Sequence, residues 1–189
     1  DALERIELIQ GPSSVVFGND SIGGTLNLIT RPTGYLEREG FYSKQDLSYR
    51  YSSAENSHQA RASYELGVGS DWGLRIGIGA REYGDVRSAE IGTQENTGYS
   101  EKSFDMRFDK SINDVWSLTA VHQQLGQDDV WRTHSTVFGK SFAGTTIGSD
   151  LRRLKDQHRS LTYLKLEGEI DSLWADEVAL NLSYQTWDE

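Results

Sequence analysis

The chain has 189 residues, with 19 Lys plus Arg against 29 Asp plus Glu and a formal net charge of −10; it has no Cys, one Met, two Pro and 19 Gly. Zero Cys excludes a disulfide framework, a thiolate zinc site and a cysteine nucleophile, and the acidic balance argues against a nucleic-acid partner, which needs a basic face. No run approaches the roughly 18 apolar residues of a membrane-crossing helix, and five Trp and nine Tyr argue against disorder.

Residues 1–34 differ from the rest. Both prolines, Pro12 and Pro32, lie there. Glu4–Gln10 reads as a short strand with Ile6 and Leu8 facing one way. Gly11-Pro12 breaks it, and Ser13–Phe17 fits one helical turn. Gly23-Gly24 permits a tight bend, and Thr25–Thr30 reads as a second strand. Gly18 and Gly23 have the spacing of a phosphate loop, but Gly24 stands where the lysine must be, so that reading fails. Asn19, Asp20 and Ser21 suit a turn, because their side chains bond their own backbone.

After residue 40 the period is two. Trp72, Leu74, Ile76, Ile78 and Ala80 alternate with Gly73, Arg75, Gly77, Gly79 and Arg81. Similar alternation predicts seven strands, near 41–52, 58–69, 72–84, 99–112, 115–127, 158–170 and 177–187. Each is about 10–14 residues, where globular strands average about 5–6 and a tilted membrane strand needs about 9–11. Ser70-Asp71, Asn113-Asp114 and Asp171–Asp176 are short polar turns. Longer connections, at 85–98 and 128–157, alternate with them, as outer loops alternate with periplasmic turns in outer-membrane barrels. Trp72, Trp116 and Trp174 sit at or beside the short turns, where a periplasmic aromatic girdle belongs. The apolar face then meets lipid, and Glu65, Arg75, Arg81, Asp105, Arg107 and Asp109 line a polar lumen. The expected class is all-β, a fragment of a large antiparallel transmembrane β-barrel.

The first segment sharpens this. Glu4–Leu8 (ERIEL), Gly11–Ser14 (GPSS), Phe17-Gly18 and Ile22–Thr30 (IGGTLNLIT) occur in order, and together they resemble the end of the plug domain of TonB-dependent outer-membrane receptors. Gln10 stands where that family often has Arg, and Phe17 where Tyr or Trp is common. The resemblance implies that residues 1–34 end a small α/β plug domain, with Gly11, Pro12, Gly18, Gly23 and Gly24 setting its turns. Residues 35–189 then hold the first seven or so strands of a 22-stranded barrel. The chain opens at Asp1 and stops at Glu189 after a strand-like run, and is expected to be a piece of a longer protein.

The resemblance further implies an integral outer-membrane active transporter, not an enzyme. Its partners would be TonB, reached through a segment before Asp1, outer-membrane lipid and lipopolysaccharide, and a scarce ligand. A ferric siderophore is the default cargo; cobalamin, haem and oligosaccharides are alternatives. No catalytic set, metal site or cofactor is expected. His58, His122, His134 and His158 are scattered, and a triad is recognised by geometry rather than order. The 128–157 loop is the expected ligand-facing part. Its Trp131, Arg132, His134, Phe138, Arg152 and Arg153 suit an anionic, partly aromatic ligand, while its basic residues also suit lipopolysaccharide phosphates or neighbouring acids. Two rivals remain: a small passive or structural outer-membrane barrel, and a soluble carbohydrate-binding module with Trp inside a dry core.

Overall fold

A computed structural model describes residues 3–11, 23–170 and 175–189. Strands β1 (Leu3–Gln10) and β2 (Gly24–Thr30) form an antiparallel hairpin. Its inner end is closed by a hydrogen bond from Gly11 N to Gly23 O. A 3₁₀ turn at Gly34–Glu37 follows. Then come β3 (Phe41–Ser52), β4 (Ser57–Val68), β5 (Trp72–Tyr83), the two-residue strands β6 (Arg87–Ser88) and β7 (Gly92–Thr93), β8 (Tyr99–Ser111), β9 (Trp116–Trp131), β10 (Leu154–Glu169) and β11 (Glu177–Asp188). The seven long strands pair in one open antiparallel sheet, ordered β11-β10-β9-β8-β5-β4-β3, while β6 and β7 make a small hairpin in the β5–β8 connection.

The predicted strands form close to their expected limits, with two differences. β9 continues to Trp131 and β10 starts at Leu154, so the outer loop is 132–153 rather than 128–157. The extra rungs, such as Leu154↔Trp131 and Lys155↔Val130, pair polar stretches through the backbone.

Register assigns every side chain to a face. One ladder row runs Lys44, Glu65, Arg75, Arg107, Val121, Tyr163, Ser183. This face carries all six predicted lumen residues. The opposite face carries Leu47, Ile78, Leu164, Leu180, Leu182 and Tyr184, each exposed. Among the described residues only Tyr35 and Val121 are buried hydrophobics. A sandwich would place a row of apolar side chains between two layers. Here the apolar face is bare, as it must be if its solvent is lipid.

The apolar band crosses the sheet on a slant. On β3 it is Leu47, Tyr49 and Tyr51, near the long-loop end. On β11 it is Val178, Leu180, Leu182 and Tyr184, near the other end. Tyr49 shares its row with Ala60, Ala80, Lys102, Gly126, His158 and Asp188. The middle of the band on β11 lies at Asn181, seven residues below Asp188. At about 3.3 Å per residue, against six strand spacings of about 4.8 Å, the band is inclined by about 40° to the ladder rows. Strands of outer-membrane barrels tilt by about 35–45°. A level membrane crossing tilted strands leaves this pattern.

The short-turn end also receives the N-terminal segment. Ser70 N donates to Tyr35 O at 2.9 Å, Gly69 N to Gly40 O at 2.7 Å, and the Tyr35 and Ser111 hydroxyls are 3.1 Å apart.

Candidate functional site: the lumen wall and the outer loops

Two regions carry polar chemistry. The first lies where the N-terminal segment meets the inner face. Asp109, 4% exposed, is the hub. Its Oδ2 accepts from Thr33 N at 3.0 Å and Thr33 Oγ1 at 2.7 Å. Its Oδ1 accepts from Thr119 Oγ1 at 2.9 Å, and Arg107 Nε donates to both oxygens at 3.0 and 2.8 Å. Arg107 Nη1 reaches on to Thr30, bonding its Oγ1 at 2.7 Å and its carbonyl at 3.3 Å. Gly34 N donates to Glu65 Oε1 at 2.8 Å. The Tyr163 hydroxyl stands 3.3 Å from Thr30 Oγ1. The end of β2 and the residues after it are therefore held by wall side chains of β4, β8 and β10.

The glycines of β5 make this approach possible. A Cβ on Gly73 would lie 2.5 Å from Thr33 Oγ1, and one on Gly77 would lie 2.4 Å from Arg61 Nη2 and 2.7 Å from Asp105. The bare backbone lets Thr33 sit on the sheet and lets the Arg61–Asp105 pair (2.6 Å) lie flat across it. Arg81 pairs with Glu101, which also accepts from Gln127 Nε2 at 2.9 Å. Arg75 is 4% exposed, and its Nε and Nη1 meet no hydrogen-bond partner among the described residues. A cavity of about 240 Å³ lies between the β1–β2 hairpin and the wall, bounded by Leu3, Leu28, Arg61, Arg81, Asp105 and Arg159.

The second region is the outer end. Trp131 closes β9 and meets Phe138 edge to face, with centroids 6.3 Å apart. Arg132 lies at the strand end, 3.7 Å from the Glu189 carboxylate, which Lys155 also contacts. His134 sits exposed in a 3₁₀ turn (Thr133–Ser135), its carbonyl accepting from Gly148 N at 3.0 Å. Arg153 pairs with Asp150 at 3.4 Å. Arg152 is exposed and makes no ion pair among the described residues. The structure thus brings Trp131 and Phe138 together and keeps Arg132 and Arg153 close through the Arg132 N to Arg153 O bond of 2.8 Å. His134 and Arg152 join neither pair.

The two long loops are fastened to each other. Lys140 Nζ donates to Ile91 O at 2.8 Å and Thr93 O at 2.7 Å, capping the β6–β7 hairpin, and Thr133 Oγ1 donates to Asn96 O at 2.5 Å. Sequence reading missed Thr33, Thr133 and Lys140 in these roles, because each acts on backbone far away in the chain. Glycines spaced by two on a charged face are the local signal that could have pointed to Thr33.

Trp72 and Trp116 both face outward at the short-turn end; Trp116 lies over Gly168, whose Cβ would stand 2.6 Å from its ring. Trp174 lies outside the described residues, as do Pro12, Gly18, the predicted helical turn at 13–17 and Asn19–Ser21. Gly11 has a φ of +99°, a conformation that favours glycine, and a Cβ on Gly24 would meet Ile9 O at 2.8 Å. Among the described residues no cluster of His, Asp or Glu could hold a metal ion.

This architecture defines a section of an outer-membrane β-barrel with a polar inner wall. No family model matches the chain. It is similar to the vitamin B12 transporter BtuB of Vibrio vulnificus, 25% identical over 193 residues that span 96% of this chain and 31% of that protein. It is also similar to the ferric enterobactin receptor of Pseudomonas aeruginosa, 32% identical over 90 residues, 48% of this chain and 11% of that one. An iron-regulated outer membrane virulence protein of Vibrio cholerae is 60% identical over 30 residues, 16% of this chain and 5% of its own length. The crystal structure of the siderophore receptor PirA from Acinetobacter baumannii superposes with a TM-score of 0.66 at 16% identity, covering 97% of this chain and 26% of that one. The homologues of this chain are thus TonB-dependent outer-membrane receptors, transporters and receptors rather than enzymes, and its fold is part of their barrel. The chain spans about a third or less of the length of these relatives.

Proposed function

We propose that the chain is the hinge region of an energy-driven importer: residues 1–34 end the plug, residues 35–189 begin the barrel, and the whole protein imports a ferric siderophore. The observation that carries this reading is the contact set of Thr30, Thr33 and Gly34 with Arg107, Asp109 and Glu65. A plug must close the barrel at rest and yet be displaced when pulled. A handful of hydrogen bonds, each worth about 1 kcal/mol net and up to about 3 to a charged group, suits a closure that a mechanical pull can open. The pull would come from TonB acting on a segment outside this chain. Ligand would meet the joined outer loops first, at Trp131, Arg132, His134, Phe138, Arg152 and Arg153, and Trp72, Trp116 and Trp174 would set the periplasmic girdle.

Cobalamin is the second reading, favoured by the 25% likeness to the Vibrio vulnificus B12 transporter over nearly the whole chain. One experiment separates them. A strain deleted for the full-length gene is grown on single ferric siderophores as the sole iron source, and its uptake of labelled cobalamin is measured beside the parent. Lost growth on one siderophore with normal cobalamin uptake supports the first reading. The reverse supports the second, and no change in either overturns both.

A further inference from the structure

Arg75 lies on the inner wall where the N-terminal segment covers it. It is 4% exposed, and its Nε and Nη1 meet no hydrogen-bond partner among the described residues. The cavity beside it, bounded also by Thr30, Arg31, Asp105 and Gln123, is about 10 Å³ and has room for one water molecule at most. A buried cation without a partner is costly, so an arrangement that keeps one calls for a reason.

The neighbouring carboxylates are all engaged elsewhere. Asp105 takes Arg61 at 2.6 Å. Asp109 takes Arg107, Thr33 and Thr119. Glu65 stands directly opposite Arg75 across the β4–β5 pair, a relation in which Cβ atoms are about 4.5–5.5 Å apart and opposite charges stabilise the sheet. Its Oε1 instead accepts from Gly34 N at 2.8 Å. On the other side of Arg75 the same row holds Arg107, a second cation, and like charges directly opposite repel. Lys44, beyond Glu65 in the row, turns to Asp46 at 3.6 Å. The cross-strand ion pair of Glu65 with Arg75 is thus left unmade while Gly34 occupies the carboxylate. When residues 30–34 leave the wall, Gly34 N leaves with them, and the freed carboxylate faces Arg75 with no backbone movement needed to join them.

We propose that Glu65 and Arg75 form a two-position switch in the wall. Glu65 holds Gly34 while the N-terminal segment is seated, and it pairs with Arg75 when the segment leaves. The new ion pair offsets part of the cost of unseating, so a pull of limited strength opens the contact. It also makes the returning segment compete for Glu65. The switch rests on the reading of residues 1–34 as the end of a displaceable plug.

The test measures amide exchange at Thr33 and Gly34 in the full-length receptor in nanodiscs, at rest, with neither cargo nor TonB added. Arg75→Gln removes the buried cation and the partner that a released Glu65 would gain. Exchange should slow by about fivefold or more, because the seated form is relieved and the released form loses its ion pair. A side chain that merely filled space would give the opposite sign, since truncating it loosens what packs on it. Arg75→Lys keeps the charge and should stay within about twofold of the parent. In a Glu65→Gln background the amide still accepts from Gly34 but carries no charge. There the slowing caused by Arg75→Gln should shrink by about threefold or more, the sign of coupling between the two side chains. Arg75→Met is a second neutral variant and keeps the test decisive if Arg75→Gln does not insert. The proposal is overturned if the neutral variants exchange faster than the parent or equally fast, if Arg75→Lys slows as they do, or if the slowing is the same in both Glu65 backgrounds. Exchange is read without transport, so losing the siderophore or cobalamin assignment leaves this outcome untouched, and failure here leaves the uptake experiment to be decided on its own.

Discussion

The inner wall and the outer loops use the same residue types to opposite ends. On the wall, Arg61, Arg81 and Arg107 are each matched to a carboxylate, and Asp105, Glu101 and Asp109 are all less than one-seventh exposed. In the outer loop, Arg132, Arg152 and Arg153 are exposed, and the pairs that form there are longer, at 3.7 and 3.4 Å. Charge that is buried and paired fixes one arrangement of the chain; charge that is exposed and loosely paired stays available to a ligand. Substitutions on the wall should therefore change stability and leakage, and those in the loop should change affinity.

Asp109 is the sharpest test of that division. Asp109→Ala in the full-length receptor removes a buried carboxylate, leaves the half-buried Arg107 guanidinium with only its bonds to Thr30, and strands Thr33 and Thr119. Removing one partner of a buried pair costs about 3–5 kcal/mol. The expected result is loss of that order in urea unfolding, with raised sensitivity to large antibiotics that the closed barrel excludes. An unchanged unfolding midpoint with normal exclusion would break the comparison. Thr33→Val is milder. It removes the 2.7 Å hydroxyl bond but leaves the backbone bond to Asp109. A loss of about 1 kcal/mol is expected in the same assay.

How much of this was legible beforehand follows from where each signal resides. β4, β5 and β8 are written in strict alternation, because each strand has lipid on one side and polar wall on the other. The tops of β9 and β10 are not. Gln127, Asp128 and Asp129, facing Lys155, Asp156 and Gln157, rise above the apolar band, where neither face need be hydrophobic, and a register shift between Lys155 and Gln157 breaks the period. Backbone pairing alone extends the ladder there, and composition does not record it. The candidate loop was legible as a cluster of Arg and aromatic residues. Its fastening by Lys140 to Ile91 and Thr93 was not, because the acceptors are carbonyls, which every residue has. Thr33 and Asp109 are 76 positions apart, so only the fold reveals that they meet.

On the loop side, the double variant Arg132→Glu with Arg152→Glu should weaken binding of an anionic cargo by about tenfold, or about 1.4 kcal/mol, with the unfolding midpoint unmoved. Fluorescence titration of the purified receptor measures the first and urea unfolding the second. Lys140→Ala is the complementary case. It frees the β6–β7 hairpin from the neighbouring loop, so faster amide exchange at Ile91–Thr93 is expected, with a smaller loss of affinity than the arginine variant causes. Equal exchange in variant and parent would show that the two loops are not coupled through this lysine.

The smallest effect belongs to the tight turn between β3 and β4. Glu55 there accepts from Ser57 Oγ at 2.6 Å and Ser52 Oγ at 2.9 Å. The Ser57 bond first, then the Ser52 bond, hold its carboxyl below the ordinary carboxylate value. A depressed pKa means that the ionised form is favoured in the folded turn. The turn's extra stability is therefore fully present above the unfolded-state value and is lost as pH falls through the lower folded-state value. The carboxylate lies at the surface, so the change is confined to the turn and does not alter the global midpoint. Amide exchange at Asn56 and Ser57, corrected for intrinsic rates, should accelerate on acidification in the parent and stay flat in Glu55→Gln. The amide still accepts from a hydroxyl but does not titrate in this range. Parallel curves for the two proteins would assign the acid response to another group and leave the Glu55 bonds without influence on the turn.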